Sequence, residues 1–263
     1  TMALAGEKRA IDIFKAYDAG AGIDPYCWFG GFLYGKAINK KDNPKERQIS
    51  KSAFLGCGFG AGPTGLQRYS NSQSIKLSLE EAEKAVKVYR SSFKGVPNLW
   101  YMLERILSVM YIGGKHFFPE TKPIFQTGYD PILEVPSITL LGGLRVKYPG
   151  LRQIENLRHA DTGRVTWAYG VNGNEIILWG GLVLENLVQA TARYILQEML
   201  LKINPHIRIV MQTHDELVGL VKEEKAEIAV KIMKKIMTTP LKWWPELPLN
   251  TEVSIAKRYG DAK

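Results

Sequence analysis

Residues 44–63 constrain the fold of this chain more than any other stretch, because they carry both a helix start and a helix stop. Asn43 is placed as an N-cap, Pro44 occupies the first helical position and Glu46 stands three residues after the cap. The far end runs into Gly56, Gly58, Gly60, Gly62 and Pro63. A helix over 44–58 is therefore expected. Within it Arg47, Lys51, Leu55 and Phe59 fall four residues apart and share one face. Two cations followed by two apolar groups make a graded surface. Arginine grips phosphate oxygens with a fork and lysine acts as a point charge, while Leu55 and Phe59 can lie against a flat base or sugar. The alternating glycines let another backbone or a base come close. Further cations cluster just upstream at Lys36, Lys40, Lys41 and Lys45. The same periodicity also suits an amphipathic helix with a solvated basic edge.

More helices flank this one. A capping box from Ser78 to Glu81 opens a helix whose residues Leu79, Ala82, Val86, Tyr89 and Phe93 follow the spacing of one face. Residues 98–112 carry Leu99, Met102, Leu103, Ile106 and Met110 on a stripe, with Gly113-Gly114 as the stop. The second half brings hairpins: SITLL and LRVKY flank Gly142-Gly143, and VTWAYGV and NEIILW meet at Asn172-Gly173. A long helix near 182–203 turns Leu184, Leu187, Val188, Thr191, Ile195 and Met199 inward. Two apolar strands, IRIVMQ and LVGLV, then meet at His214-Asp215-Glu216, and a Lys/Glu-rich helix near 223–237 and a strand near 249–255 follow. Helices first and hairpins later give an α+β class with a mostly antiparallel sheet and a helical subdomain.

The chain's 263 residues allow a sizeable core. Its formal charge of +9 favours an acidic partner, nucleic acid being the usual one. The two cysteines, Cys27 and Cys57, have no metal-site spacing and read as reduced thiols of a cytoplasmic protein. No apolar run approaches the roughly 20 residues of a membrane span, and the N-terminal stretch does not read as a signal peptide.

The His214-Asp215-Glu216 turn can present carboxylates to a divalent cation, since magnesium takes hard oxygen ligands and shares one or two carboxylates with substrate phosphates. It also reads as an ordinary solvated hairpin turn.

Taken together, the basic helix and the acidic turn resemble the family A DNA polymerases, the group of bacterial DNA polymerase I and many phage replicases. That family's fingers helix reads R-x3-K-x3-(F/Y)-G-x2-Y-G, and RQISKSAFLGCGFGAG (47–62) places Arg47, Lys51, Leu55, Gly56, Phe59 and Gly60 in the same spacing. Its palm signature is an apolar strand, H-D-E and another apolar strand, as in IVMQTHDELVGLV (209–221). DPYCWFGGFLYG, SLEEAEKAVKVYRSSFKGVPNLW, WGGLVLENLVQATARYIL and LPLNTEVSIAKRYG resemble further family segments in order, the last closest to the phage branch.

The resemblance implies a partial right-hand polymerase fold, with 1–20 as the N-terminal edge of the palm, 21–135 as fingers and 136–263 as palm. It implies that Arg47 and Lys51 hold the incoming triphosphate, with Lys51 also placed to protonate the pyrophosphate leaving group. Phe59 stands where the family has a Tyr that helps position the templating base, and Gly60 follows it toward the DNA. Asp215 corresponds to the second of two metal-binding aspartates, with His214 and Glu216 beside the primer terminus and Glu216 a further catalytic candidate. Gln189 corresponds to a minor-groove contact. Leu55 replaces a ring that packs on the nucleotide sugar, Tyr26 stands where some members have a His on the triphosphate, and Glu185 stands where many have an Asn facing the duplex.

Implied partners are a DNA primer–template, deoxynucleoside triphosphates and two Mg²⁺ ions in a bacterial or phage-infected cytoplasm, with no membrane. The family's other metal-binding Asp lies in D-Y-S-x-I-E, ahead of the stretch that MALAGEK resembles, and falls upstream of Thr1. The thumb falls there too. The expectation is the fingers and most of the palm of a split or truncated polymerase, active with an N-terminal fragment that brings the missing strand. The rival expectation is a non-catalytic module that binds primer–template or single-stranded DNA.

Overall fold

Six helices occupy the first 111 residues: α1 (Lys8–Asp18), α2 (Pro25–Tyr34), α3 (Pro44–Cys57), α4 (Pro63–Ser72), α5 (Leu79–Ser92) and α6 (Gly95–Tyr111). They are seen in a computed structural model that describes residues 1–114, 125–140, 143–154, 166–170 and 173–262. Local chemistry explains most of their ends. Asp24 caps α2 and Pro25 takes its first position. The box at Ser78 forms in full: Ser78 Oγ accepts from the Glu81 amide at 3.1 Å, and Glu81 accepts from the Ser78 amide at 2.8 Å.

The chain departs from the sequence reading in three places here. Asn43 makes no side-chain cap to α3; its Oδ1 instead accepts from the Asn39 amide at 3.3 Å, closing the turn before the helix. Leu79 is 44% exposed, because it stands at the first position of α5 and at the edge of the arc that Ala82, Ala85, Val86 and Tyr89 bury. Helix α6 begins at Gly95 rather than 98.

The two expected hairpins extend into three-stranded antiparallel sheets. Strands β1 (Gln126–Tyr129), β2 (Pro136–Thr139) and β3 (Arg145–Lys147) form one, with Ile138 opposite Val146. Strands β4 (Arg152–Ile154), β5 (Thr166–Tyr169) and β6 (Ile176–Leu178) form the other, with Trp167 opposite Leu178. Gly142 and Asn172, in the two predicted turns, lie outside the described residues. Helix α7 (Gly180–Ile203), the hairpin β7 (Arg208–Thr213) and β8 (Glu216–Leu220), and α8 (Ala226–Thr238) follow.

Two compact units divide at Val188/Gln189, within α7. In the first, the rings of Phe29, Phe54, Tyr89 and Phe93 meet edge-on or tilted and hold α2, α3 and α5 together. Such ring pairs contribute about 0.5–1.5 kcal/mol each beyond the area they bury. In the second, Leu196, Met199 and Ile203 of α7 bury against Ile207, Leu217, Ala229 and Met233. The strand expected near 249–255 does not form: Leu249 and Val253 turn their side chains onto this second core while the backbone pairs with no strand among the described residues.

Candidate functional site

Burial divides α3 into two faces. Ile49, Ala53, Phe54 and Cys57 are buried, with Phe54 at 6.0 Å from the Tyr26 ring and 6.2 Å from Phe14. Arg47 and Lys51 are half-buried and Leu55 is 41% exposed on the other side. The face expected from the four-residue spacing is therefore the one left accessible. Both cysteines are free and buried, and burial pushes the Cys57 thiol up to about 12, far from a reactive thiolate.

The structure brings three of the predicted residues together. The Arg47 guanidinium lies 5.5 Å from the centroid of the Tyr26 ring, and Lys51 Nζ lies 5.7 Å from the same centroid. Two cations thus flank one aromatic face, which attracts both. Asp24, which the spacing argument passed over, completes the group. Its Oδ2 accepts from Arg47 Nη2 at 2.6 Å and Nε at 3.1 Å, while Oδ1 accepts from the amides of Tyr26 and Cys27. Burial works against ionising Asp24, but the hydrogen bond from Arg47 and those from the two amides outweigh it and hold the carboxyl below its ordinary range. The signal that could have found it is the Asp-Pro pair opening α2, an N-cap followed by a proline at N1.

Phe59 and Gly60 lie just past α3, against the start of α7. Trp100 Nε1 donates to the Gly58 carbonyl at 3.0 Å. Gly60 has φ +87, with Trp179, Gly181 and Trp100 around it. A Cβ at Gly181 would run into the Phe59 carbonyl, and one at Gly180 into the Trp100 carbonyl. The two glycines of WGG are therefore what lets α7 begin this close to the end of α3 and to α6. Glu185, half-buried, stands one turn further along α7, and Gln189, exposed, a turn beyond it.

In the second unit the acidic turn is a two-residue hairpin loop. Thr213 pairs with Glu216, and His214 and Asp215 make the connection. His214 takes φ 45, a left-handed value uncommon for a residue with a Cβ. His214 and Asp215 are exposed, Glu216 is half-buried and Leu217 points into the core. A register irregularity between Ile209 and Met211 bends β7 a few residues before the turn. A groove of about 1240 Å³ runs between the hairpin, α8 and residues 250–262, with Asp215, Glu216, Lys257 and Arg258 in its lining. Asp215 offers the hard oxygen donor that Mg²⁺ prefers. Among the described residues, however, no group of three or more His, Cys, Asp or Glu is arranged to hold a metal ion. No helix among them is long and apolar enough to cross a membrane.

No protein-family model matches this chain. Three similarities place it nonetheless. It is 29% identical to the DNA polymerase of Bacillus phage SP02, over 97% of this chain and 38% of that protein. It is 24% identical to the DNA polymerase I of Helicobacter pylori strain 26695, over 88% of this chain and 21% of that protein. The chain thus spans well under half the length of these relatives. Its fold matches the POL domain of Pol1 from M. smegmatis, solved with DNA primer–template and dNTP, with a TM-score of 0.62. That match covers 99% of this chain and 38% of the other at 18% identity. The expected class, α+β with antiparallel sheets and a helical subdomain, is the one observed, and the chain is similar in sequence to phage and bacterial DNA polymerases and in fold to a Pol1 POL domain.

Proposed function

We propose that these residues form the fingers (21–135) and most of the palm (1–20 and 136–263) of a template-directed DNA polymerase. Arg47 and Lys51 grip the incoming triphosphate beside Tyr26, Leu55 meets the sugar and Phe59 and Gly60 meet the templating base. Lys51 is also placed to protonate the departing pyrophosphate. Glu185 and Gln189 face the duplex, and His214 and Glu216 stand by the primer terminus. Asp215 supplies one ligand to a pair of Mg²⁺ ions, whose role when bound is to stabilise the entering and leaving oxygens of an in-line displacement. The first aspartate and the thumb come from polypeptide outside these 263 residues, an N-terminal fragment carrying the D-Y-S-x-I-E strand. The setting is a bacterial or phage-infected cytoplasm.

The observation that carries this reading is the convergence of Arg47 and Lys51 on one aromatic ring, on the accessible face of a helix. Phosphate-binding cations placed that way suit a polyanion that meets both at once. Similarity to the phage and bacterial polymerases supports the same assignment at the level of the family.

The test is primer extension with Mg²⁺, using the chain alone and mixed with a fragment that brings the first aspartate strand and the thumb. DNA binding that weakens with salt is expected from the chain alone, given its charge of +9. Extension is expected only from the mixture. Robust extension by the chain alone would mean that another carboxylate here, Glu216 first, completes the metal site. DNA binding with no extension in either case would favour the non-catalytic binding module.

A further inference from the structure

We propose that Asp24 is a positioning residue for Arg47, holding the guanidinium in the orientation in which it meets a triphosphate. The inference rests on the reading of α3 as the triphosphate-binding helix.

The two oxygens of Asp24 divide their work. Oδ1 accepts from the Tyr26 amide at 2.9 Å and the Cys27 amide at 3.0 Å, so the carboxylate is fixed to the first turn of α2. Oδ2 takes Nε and Nη2 of Arg47. The side chains of Arg47 and Asp24 are only 18% and 10% exposed, which keeps solvent from loosening the pair. A guanidinium has five N–H donors in a rigid fork. Asp24 engages two of them along one edge, which leaves the Nη1 edge and the second Nη2 hydrogen for phosphate oxygens. An arginine without this partner would spread over many rotamers and present that edge only part of the time.

Charge argues the same way. Arg47 and Lys51 sit at similar distances from one ring and repel each other. Asp24 offsets one of the two charges, and Tyr26, two residues along the same turn, attracts both. The first turn of α2 thus acts as a mould for the cation pair and leaves one net positive charge facing the ligand. A competing role is a latch, in which Asp24 must release Arg47 before phosphate can bind. Anchorage of Asp24 by two amides, and the donors it leaves open on Arg47, favour positioning. The two roles predict opposite signs.

Asp24→Asn keeps a good N-cap and the side chain's shape while removing the charge. Binding of a deoxynucleoside triphosphate and of inorganic triphosphate to the chain should be measured by calorimetry, with thermal unfolding as the control. Binding is expected to weaken roughly tenfold while the unfolding midpoint moves little. In an Arg47→Ala background the same change should cause no further loss. Unchanged or tighter binding by Asp24→Asn would overturn the proposal, as would an equal loss in both backgrounds. If Asp24→Asn does not fold, Arg47→Lys asks the same question, since lysine keeps the charge but cannot be held by two donors. Parental affinity in that variant would overturn the proposal. If Arg47→Ala and Lys51→Ala both bind triphosphate as the parent does, the reading of α3 fails. If they weaken binding and Asp24→Asn does not, only the role of Asp24 fails.

Discussion

The cationic face of α3 and the acidic turn between β7 and β8 are both short local motifs, but their surroundings treat them differently. Arg47 is clamped by a carboxylate 23 residues away and shares the Tyr26 ring with Lys51. The helix beneath is pinned by Phe54 in an aromatic cluster. At the turn, the side chains of His214 and Asp215 are exposed, and neither makes a hydrogen bond or ion pair among the described residues. Below the turn, β7 and β8 form a two-stranded sheet on the second core. Open strand edges of this kind are places where another strand can add. One motif is held by partners within its own unit, while the other has its backbone position set and its side chains exposed.

The largest expected effect tests that contrast at its weaker end. Asp215→Ala should abolish nucleotide incorporation by the reconstituted enzyme and leave primer–template affinity within a few-fold, since duplex affinity comes mainly from cations on phosphates. Because Asp215 is an exposed turn residue, stability should hardly change. Single-turnover incorporation and DNA binding decide it, and near-normal incorporation would remove Asp215 from the metal site.

Phe54→Ala strikes the support of the other region. Loss of this ring should destabilise the first unit by about 3–5 kcal/mol. Hydrogen exchange should then show α2, α3 and α5 losing protection while the β7–β8 hairpin keeps its own. Equal loss in both places would mean that the two regions do not differ in how they are held.

Arg47→Ala and Lys51→Ala should each weaken triphosphate use by about 1.5–3 kcal/mol, roughly ten- to a hundredfold, with little change in DNA affinity. Lower DNA affinity with unchanged nucleotide kinetics would assign the helix to the duplex surface instead.

The smallest effect concerns acid. A carboxyl whose pKa is depressed in the folded state adds stability above its ordinary value of 3.8, and this is lost as pH falls through the lower folded value. The first unit should therefore lose stability below about pH 4, and Asp24→Asn should flatten that part of the profile. An unchanged profile would mean that the Arg47 pair contributes nothing to folding.

What could be read from the sequence alone was whatever is decided within a turn or two of backbone. The Ser78–Glu81 box and the four-residue spacing of Arg47, Lys51 and Leu55 formed where expected, and so did the charged turn between β7 and β8, although Glu216 of the expected trio pairs with Thr213 and leaves His214 and Asp215 as the loop. Local geometry alone sets those. The partners came from tertiary packing. Asn43 turned away from its helix to bond Asn39, and Leu79 was left exposed at the rim of a buried arc. Residues near 249–255 alternate like a strand but spend their apolar side chains on the second core, and they pair with no strand among the described residues. Above all, Asp24 met Arg47 because α2 and α3 pack together through Phe29 and Phe54. A contact between residues 23 apart is set by which faces two helices bury, and spacing along one helix carries no record of it.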